Sequence, residues 1–228
     1  MSLSVLAKSA QMAWLLLESY EVDPEPIFRS LHIDPRTMGD MSARLNQSTV
    51  DELWQKVAES VNDPCFGLNI GKQWHPSYMH ALGYAWLASS SLHTAFYRLQ
   101  RFIHVMNQAV KINIDETKDR FTVSTINIVR KKNKYWHADG GISILMAMCR
   151  ANYGEELNPL LVTFKHERPD CAGDFYEYFR SEIEFGAKKD VLVFSQEVIN
   201  KRLPSSNPAL AQISDQLMIE YLAKLDEN

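Results

Sequence analysis

An α+β domain is what this sequence predicts: a helical first part packed with an antiparallel sheet of about five strands and interspersed helices, ending in a helix. Three observations predict it. Apolar residues recur at helical spacing through the first hundred residues, the period switches to two at Val110, and strand-like runs then mix with helical ones. The 228 residues are 46% hydrophobic and 23% charged, so enough apolar surface is present to offset the entropy of ordering the chain.

The elements follow in order. Leu6, Ala10, Ala13 and Leu17, with Trp14 beside them, mark a first helix. Val22-Asp23-Pro24 breaks it, and Ile27, Phe28 and Leu31 form a short apolar turn. Pro35 stops that turn, because the residue before a proline is pushed out of the helical region. Ser48 is read as the N-cap of a helix carrying Val50, Leu53, Trp54 and Val57. Asn62-Asp63-Pro64 ends it, and Cys65-Phe66-Gly67-Leu68 begins a short one. An apolar stretch follows from Pro76 to Leu87. Ser90 or Ser91 then caps a helix whose Leu92, Ala95, Phe96, Leu99, Phe102, Ile103 and Met106 make one stripe.

Val110, Ile112 and Ile114 alternate with polar residues as in a half-buried strand. Phe121 and Val123 begin its hairpin partner, and the later Ile126 and Ile128 are out of phase, which predicts a bulge near Ser124 and Thr125. A helix from about Asp139 carries Ile142, Leu145, Met146 and Cys149. Leu160, Val162 and Phe164 form a third strand that ends at His166. Asp170 caps a helix with Phe175, Tyr178 and Phe179, and Ile183–Phe185 and Val191–Phe194 complete the sheet. Finally Asn207 caps and Pro208 opens a helix bearing Leu210, Ile213, Leu217, Tyr221 and Leu225.

A net charge of -4 argues against this segment gripping nucleic acid by itself, since a DNA-binding surface must neutralise several phosphates. The densest basic run, Arg130, Lys131, Lys132 and Lys134, reads as a solvated loop. No secretory signal and no stretch of about 20 apolar residues is seen, so a cytoplasmic protein without a membrane partner is expected. Cys65, Cys149 and Cys171 lie far apart without C-x-x-C spacing and predict neither a disulfide framework nor a zinc site.

Catalytic signatures for phosphate loops, nucleophile elbows and zinc proteases are absent. His93 and His104 lie three helical turns apart, too distant to share a metal, and no metal or cofactor is expected. Cys149 or Cys171 with His166 is a conceivable nucleophile pair, but nothing supplies an orienting acid or oxyanion hole, and buried structural cysteines are the better reading. The aromatic residues are more suggestive. Tyr78, His80, Tyr84, Trp86 and His104, with Tyr135, Trp136 and His137, offer rings with polar tips of the kind that line a small-molecule pocket.

Several ordered blocks resemble one branch of the AraC/XylS regulators, that of the ornithine-utilisation type, often labelled arabinose-binding-like. They are Val22-Asp23-Pro24, Leu31-His32-Ile33-Asp34-Pro35, Asn62 to Leu68, Leu82-Gly83-Tyr84-Ala85 and Ser89 to Ala95. The block Pro159 to Pro169 is similar to the branch's "P-x-x-V-x-F-x-H-x-x-P" strand. Tyr176 to Phe194 and Leu203-Pro204-Ser205-Ser206-Asn207-Pro208 continue the match. The resemblance implies a domain that senses a small-molecule effector and forms a homodimer, and no enzyme.

It implies an effector-sensing domain over residues 1–206, helical to about 108 and sheet-containing from 109, then a linker helix over 207–228. DNA would be bound only through a C-terminal helix-turn-helix domain, expected to be missing from this chain. The eight aromatic and histidine residues above are the effector candidates. Leu210, Ile213, Leu217, Tyr221 and Leu225 are the candidate dimer or linker surface. The competing reading is a small-molecule- or cofactor-binding enzyme domain with a Cys/His or His/Tyr site.

Overall fold

A computed structural model describes residues 3–129 and 134–226; Arg130, Lys131 and Lys132 of the basic run lie outside the described residues. The chain starts with a short strand, β1 (Ser4–Leu6), and a 3-10 turn at Ala7–Ala10, so helix α1 (Gln11–Ser19) begins later than the spacing of Leu6 and Ala10 suggests. Strand β1 pairs with β2 (Arg44–Asn46). Between them lies α2 (Glu25–Ser30), and α3 (Gln47–Val61) follows. Asn46, not Ser48, precedes that helix, and Asn62 ends it in the left-handed conformation, which asparagine tolerates better than most residues.

Helices α4 (Phe66–Lys72), α5 (His80–Leu87) and α6 (Leu92–Met106) complete the helical part. Ser91 caps α6: its hydroxyl accepts from Thr94 N–H, and the Thr94 hydroxyl accepts from Ser91 N–H in return. The α6 stripe buries Leu92, Ala95, Phe96, Leu99 and Phe102 against the sheet and α5.

The sheet has the order β3 (Val110–Glu116), β4 (Arg120–Asn127), β7 (Val191–Ser195), β5 (Leu161–Phe164), β6 (Glu182–Phe185). The β3–β4 ladder pairs Val110 with Asn127 and Glu116 with Phe121 without interruption, so the bulge expected near Ser124 and Thr125 is not present. Ile126 and Ile128 instead sit out of phase because they are about half exposed. Strands β5 and β6 pair in parallel, the one departure from an antiparallel sheet. Helix α8 (Ala172–Phe179) makes the crossover between them.

Helix α7 (Tyr135–Tyr153) starts four residues before Asp139 and threads the molecule's centre. Its close partner is α4, and glycine permits the approach. A Cβ on Gly71 would meet the Ser143 carbonyl oxygen at 2.5 Å, and one on Gly67 would meet Asp139 Cβ at 2.6 Å. Ser143 Oγ locks the crossing by donating to the Gly67 carbonyl (3.1 Å) and accepting from Gly71 N–H (3.1 Å). One core joins α5, α6, α7, α8 and the sheet; a second, around Leu16, Phe28, Leu53 and Val57, joins α1 to α4 and reaches Trp136 of α7.

One expectation is corrected outright. Cys65 and Cys171 form a disulfide, with their Cα atoms 6.3 Å apart, that ties the start of α4 to the start of α8 across 106 residues. Spacing gave no sign of it because the chain's fold, not its local pattern, brings the two together. A short helix, α9 (Gln196–Asn200), and the long α10 (Pro208–Asp226) end the chain. As expected, the Asn207 side chain accepts from Leu210 N–H (3.1 Å) at the start of α10.

Helix α10 docks on α5 and α6 through one face only. Ala211, Ser214 and Met218 are buried, and Arg98 holds Asp215 with two hydrogen bonds of 2.6 and 3.1 Å. Tyr221 is half-buried; its hydroxyl accepts from Arg44 (3.0 Å) and its ring lies 4.9 Å from that of His80.

Candidate functional site

Between the helical part and the sheet lies a cavity of about 260 Å³. Its floor is α7, which contributes Trp136, Gly140, Gly141 and Ile144, and α6 adds Leu99, Ile103 and Met106. Val50 and Trp54 of α3 close one side, Ile112 of β3 and Thr125 of β4 the other. The position follows from the fold. Helix α7 packs on both α4 and the sheet, closely enough that a Cβ on Gly140 would meet Ile70 Cδ1 at 2.7 Å and one on Gly141 would meet Thr125 Oγ1 at 3.2 Å.

Several polar groups in this wall are already committed. Ser9 Oγ donates to the Leu6 carbonyl (2.7 Å), Asn107 Oδ1 accepts from Ala109 N–H (2.8 Å), and the Gln47 amide donates to Asp51 (2.9 Å). The buried side-chain atoms in the wall without a hydrogen-bond partner include the carbonyl oxygen of Gln47 and the indole N–H of Trp136. Such orphans cost free energy unless something satisfies them, and binding sites are where they are kept.

The eight predicted effector residues are placed unevenly. Trp136 and His137 line the cavity. Tyr135 is exposed beside them and His104 is exposed on α6, while Tyr84 faces solvent from α5. Trp86 is fully buried, its indole donating to the Met148 carbonyl (2.8 Å), as a core residue does. Tyr78 and His80 are half-buried; His80 faces Tyr221 of α10 rather than the cavity, and burial lowers its pKa. Gln47, Trp54 and Trp74, which line the wall, were not singled out from sequence. A period-3.6 stripe does not distinguish a helix face turned to a cavity from one turned to a filled core.

Beside the cavity, next to its lining residue Asp190, sits a second polar feature. Asp139, 1% exposed on α7, holds His166 Nε2 at 2.8 Å, and the other ring nitrogen of His166 is 2.8 Å from the Glu167 carbonyl. Burial raises the Asp139 pKa. Burial works to lower that of His166, but the hydrogen bond and charge of Asp139 outweigh it and the net shift is upward. Both groups thus bind a proton more tightly folded than unfolded, so their contribution to stability declines as pH rises.

For His166 that contribution is complete below its ordinary value of 6.5 and disappears as pH climbs through its higher folded value. Urea midpoints are therefore expected to fall as pH rises above about 6.5, and this slope is expected to flatten in His166→Gln. An identical slope in the variant would assign the effect to another group.

The Cys/His pair imagined from sequence does not form. Cys171 is in the disulfide, His166 is turned to Asp139, and Cys149 is fully buried, which pushes its thiol far above the reactive range. Among the described residues no group of three or more His, Cys, Asp or Glu is placed to hold a metal ion, and no helix is long and apolar enough to cross a membrane.

Comparison with known proteins gives the family. Residues 22–203 match the family described as the arabinose-binding domain of AraC transcription regulators, N-terminal. The chain belongs to this family. It is 23% identical over 212 residues to the ornithine utilization regulator of Pseudomonas aeruginosa, covering 92% of this chain and 62% of that protein. Its fold resembles the crystal structure of the transcriptional regulator CdpR from the same organism. The TM-score is 0.63 at 18% identity, and the match covers 89% of this chain and 61% of the other. The AraC-type domain thus spans less than two thirds of either relative, and those relatives are regulators of transcription.

Proposed function

We propose that this AraC-type domain senses a small-molecule effector in the cavity between its helical part and its sheet, and forms a homodimer through α10. The domain would comprise residues 1–206, with 207–228 as the linker to a DNA-binding module. The observation that carries the reading is the cavity itself: an apolar wall with unsatisfied Gln47 and Trp136 atoms in a regulatory-domain family.

A route from cavity to α10 supports it. Met79 of the wall adjoins His80, whose ring meets Tyr221. Arg44, the partner of the Tyr221 hydroxyl, also bonds Ser4 Oγ (2.7 Å) and the Val105 carbonyl (2.7 Å), each next to wall residues Val5 and Met106. An effector favouring one arrangement of this cluster over another would shift α10, by no more than its differential affinity for the two. Thermal-shift screening tests the site. An effector at 100 times its Kd adds about 2.7 kcal/mol, and Ala138→Phe, which projects a ring from the wall, is expected to abolish the gain.

The dimer half of the reading rests on α10. Leu210, Ile213 and Leu217 are 42%, 60% and 48% exposed along one side, while Tyr221 and Leu225 turn partly inward. Light scattering is expected to give twice 26.2 kDa for the native chain and the single mass for Leu217→Glu. A native monomer, or a variant that stays dimeric, would remove α10 as the interface.

A further inference from the structure

We infer that the cavity takes a mostly hydrocarbon ligand with an uncharged hydrogen-bonding head, such as a hydroxyl, and not a sugar or an amino acid. The inference rests on the effector-site reading above and narrows it to a ligand class. Size sets the first limit. About 260 Å³ at the packing density of protein interiors accommodates roughly ten to twelve non-hydrogen atoms, a single ring with short substituents or a chain of similar bulk.

Hydrogen-bonding capacity sets the second. A pentose brings four hydroxyls and a ring oxygen, each of which must find partners once stripped of water. Much of the wall's polar surface is already engaged. Asn127 Oδ1 accepts from Val129 N–H (3.1 Å), and the Trp74 indole points at the Met79 sulfur (3.1 Å). Ser9 Oγ, Asn107 Oδ1 and Gln47 Nε2 are engaged as described. Among the buried wall atoms, Gln47 Oε1 is an acceptor and Trp136 Nε1 a donor without a partner, on residues 6% and 7% exposed. An acceptor and a donor in the same wall suit an alcohol, whose hydroxyl can donate to Gln47 Oε1 and accept from Trp136 Nε1.

Charge sets the third. Among the described wall residues Asp190 alone carries a full charge, and its Oδ1 already accepts from Lys165 N–H (2.7 Å). A buried carboxylate would meet that negative charge with no described Lys or Arg in the wall to offset it, and a zwitterion would need both signs of partner. The aliphatic remainder, including Val50, Leu99, Ile103, Met106, Ile112 and Ile144, favours methylene groups.

Five probes of graded head chemistry test this: 1-octanol, octylamine, octanoate, L-ornithine and L-arabinose, titrated by calorimetry into the purified chain. The expected order has 1-octanol at least tenfold tighter than each of the other four, with Ala138→Phe abolishing its binding. Gln47→Met is expected to weaken 1-octanol severalfold while leaving the fold intact by circular dichroism. If octylamine, octanoate, ornithine or arabinose binds as tightly as 1-octanol and Ala138→Phe blocks it, the ligand class is wrong and the effector site stands. If a probe binds unaffected by Ala138→Phe, or none binds, the site reading falls and takes the ligand class with it.

Discussion

His166→Ala is expected to destabilise the domain by about 3 to 5 kcal/mol, among the largest effects of any single side chain here. The variant strands Asp139, a carboxylate with 2% of its side chain exposed, in the space between α7 and the β5 end without the side-chain hydrogen bond that His166 gives it. It also removes a ring packed within 5.1 Å of Phe164 and 5.6 Å of Phe185. Chemical denaturation measures the loss. The double variant Asp139→Asn with His166→Ala is expected to lose less than the two single losses together, because no unpaired charge is left buried. Full additivity would mean that the pair is incidental and that only packing is lost.

Reducing the Cys65–Cys171 disulfide comes next. Closing a loop of 106 residues removes denatured-state entropy worth about 4 to 5 kcal/mol in the chain-entropy account. The oxidised protein is expected to melt many degrees above the protein in excess reductant, and Cys65→Ser with Cys171→Ser is expected to reproduce the lower value and lose its response to reductant. Mass spectrometry after alkylation counts one free thiol, Cys149, in the oxidised form under denaturing conditions. Three free thiols in a fully folded, equally stable protein would show that the bridge contributes nothing.

The elements most legible in the sequence are those held by local signals. The Ser91–Thr94 cap and the continuous apolar stripe of α6 mark that helix from sequence alone, and Asn207-Pro208 announces α10 in the same way. The hairpin from Val110 to Asn127 is legible too, although its out-of-phase isoleucines mimic a bulge when they are simply exposed. Illegible were the features made by distance along the chain. The disulfide spans 106 residues, and the parallel pairing of β5 with β6 depends on α8 crossing over between them.

The cavity shows the same division. Trp136 and His137 stand out in sequence as a cluster of rings with polar tips, and both line it. Gln47 looks like any polar residue at the start of a helix; only the fold reveals that its carbonyl oxygen is buried without a partner. His166 belongs to a block whose resemblance to AraC-type regulators was visible, but its bond to Asp139, 27 residues earlier, was not.

Isoleucine methyl NMR tests most directly whether the cavity is where an effector sits. Ile70, Ile103, Ile112 and Ile144 line its wall, whereas Ile27, Ile183 and Ile219 lie elsewhere in the molecule. Titrating in the compound that gives the largest thermal shift should move the four wall methyls and leave the other three in place. Shifts confined to Ile27, Ile183 or Ile219, with the wall methyls unmoved at saturating ligand, would contradict the account.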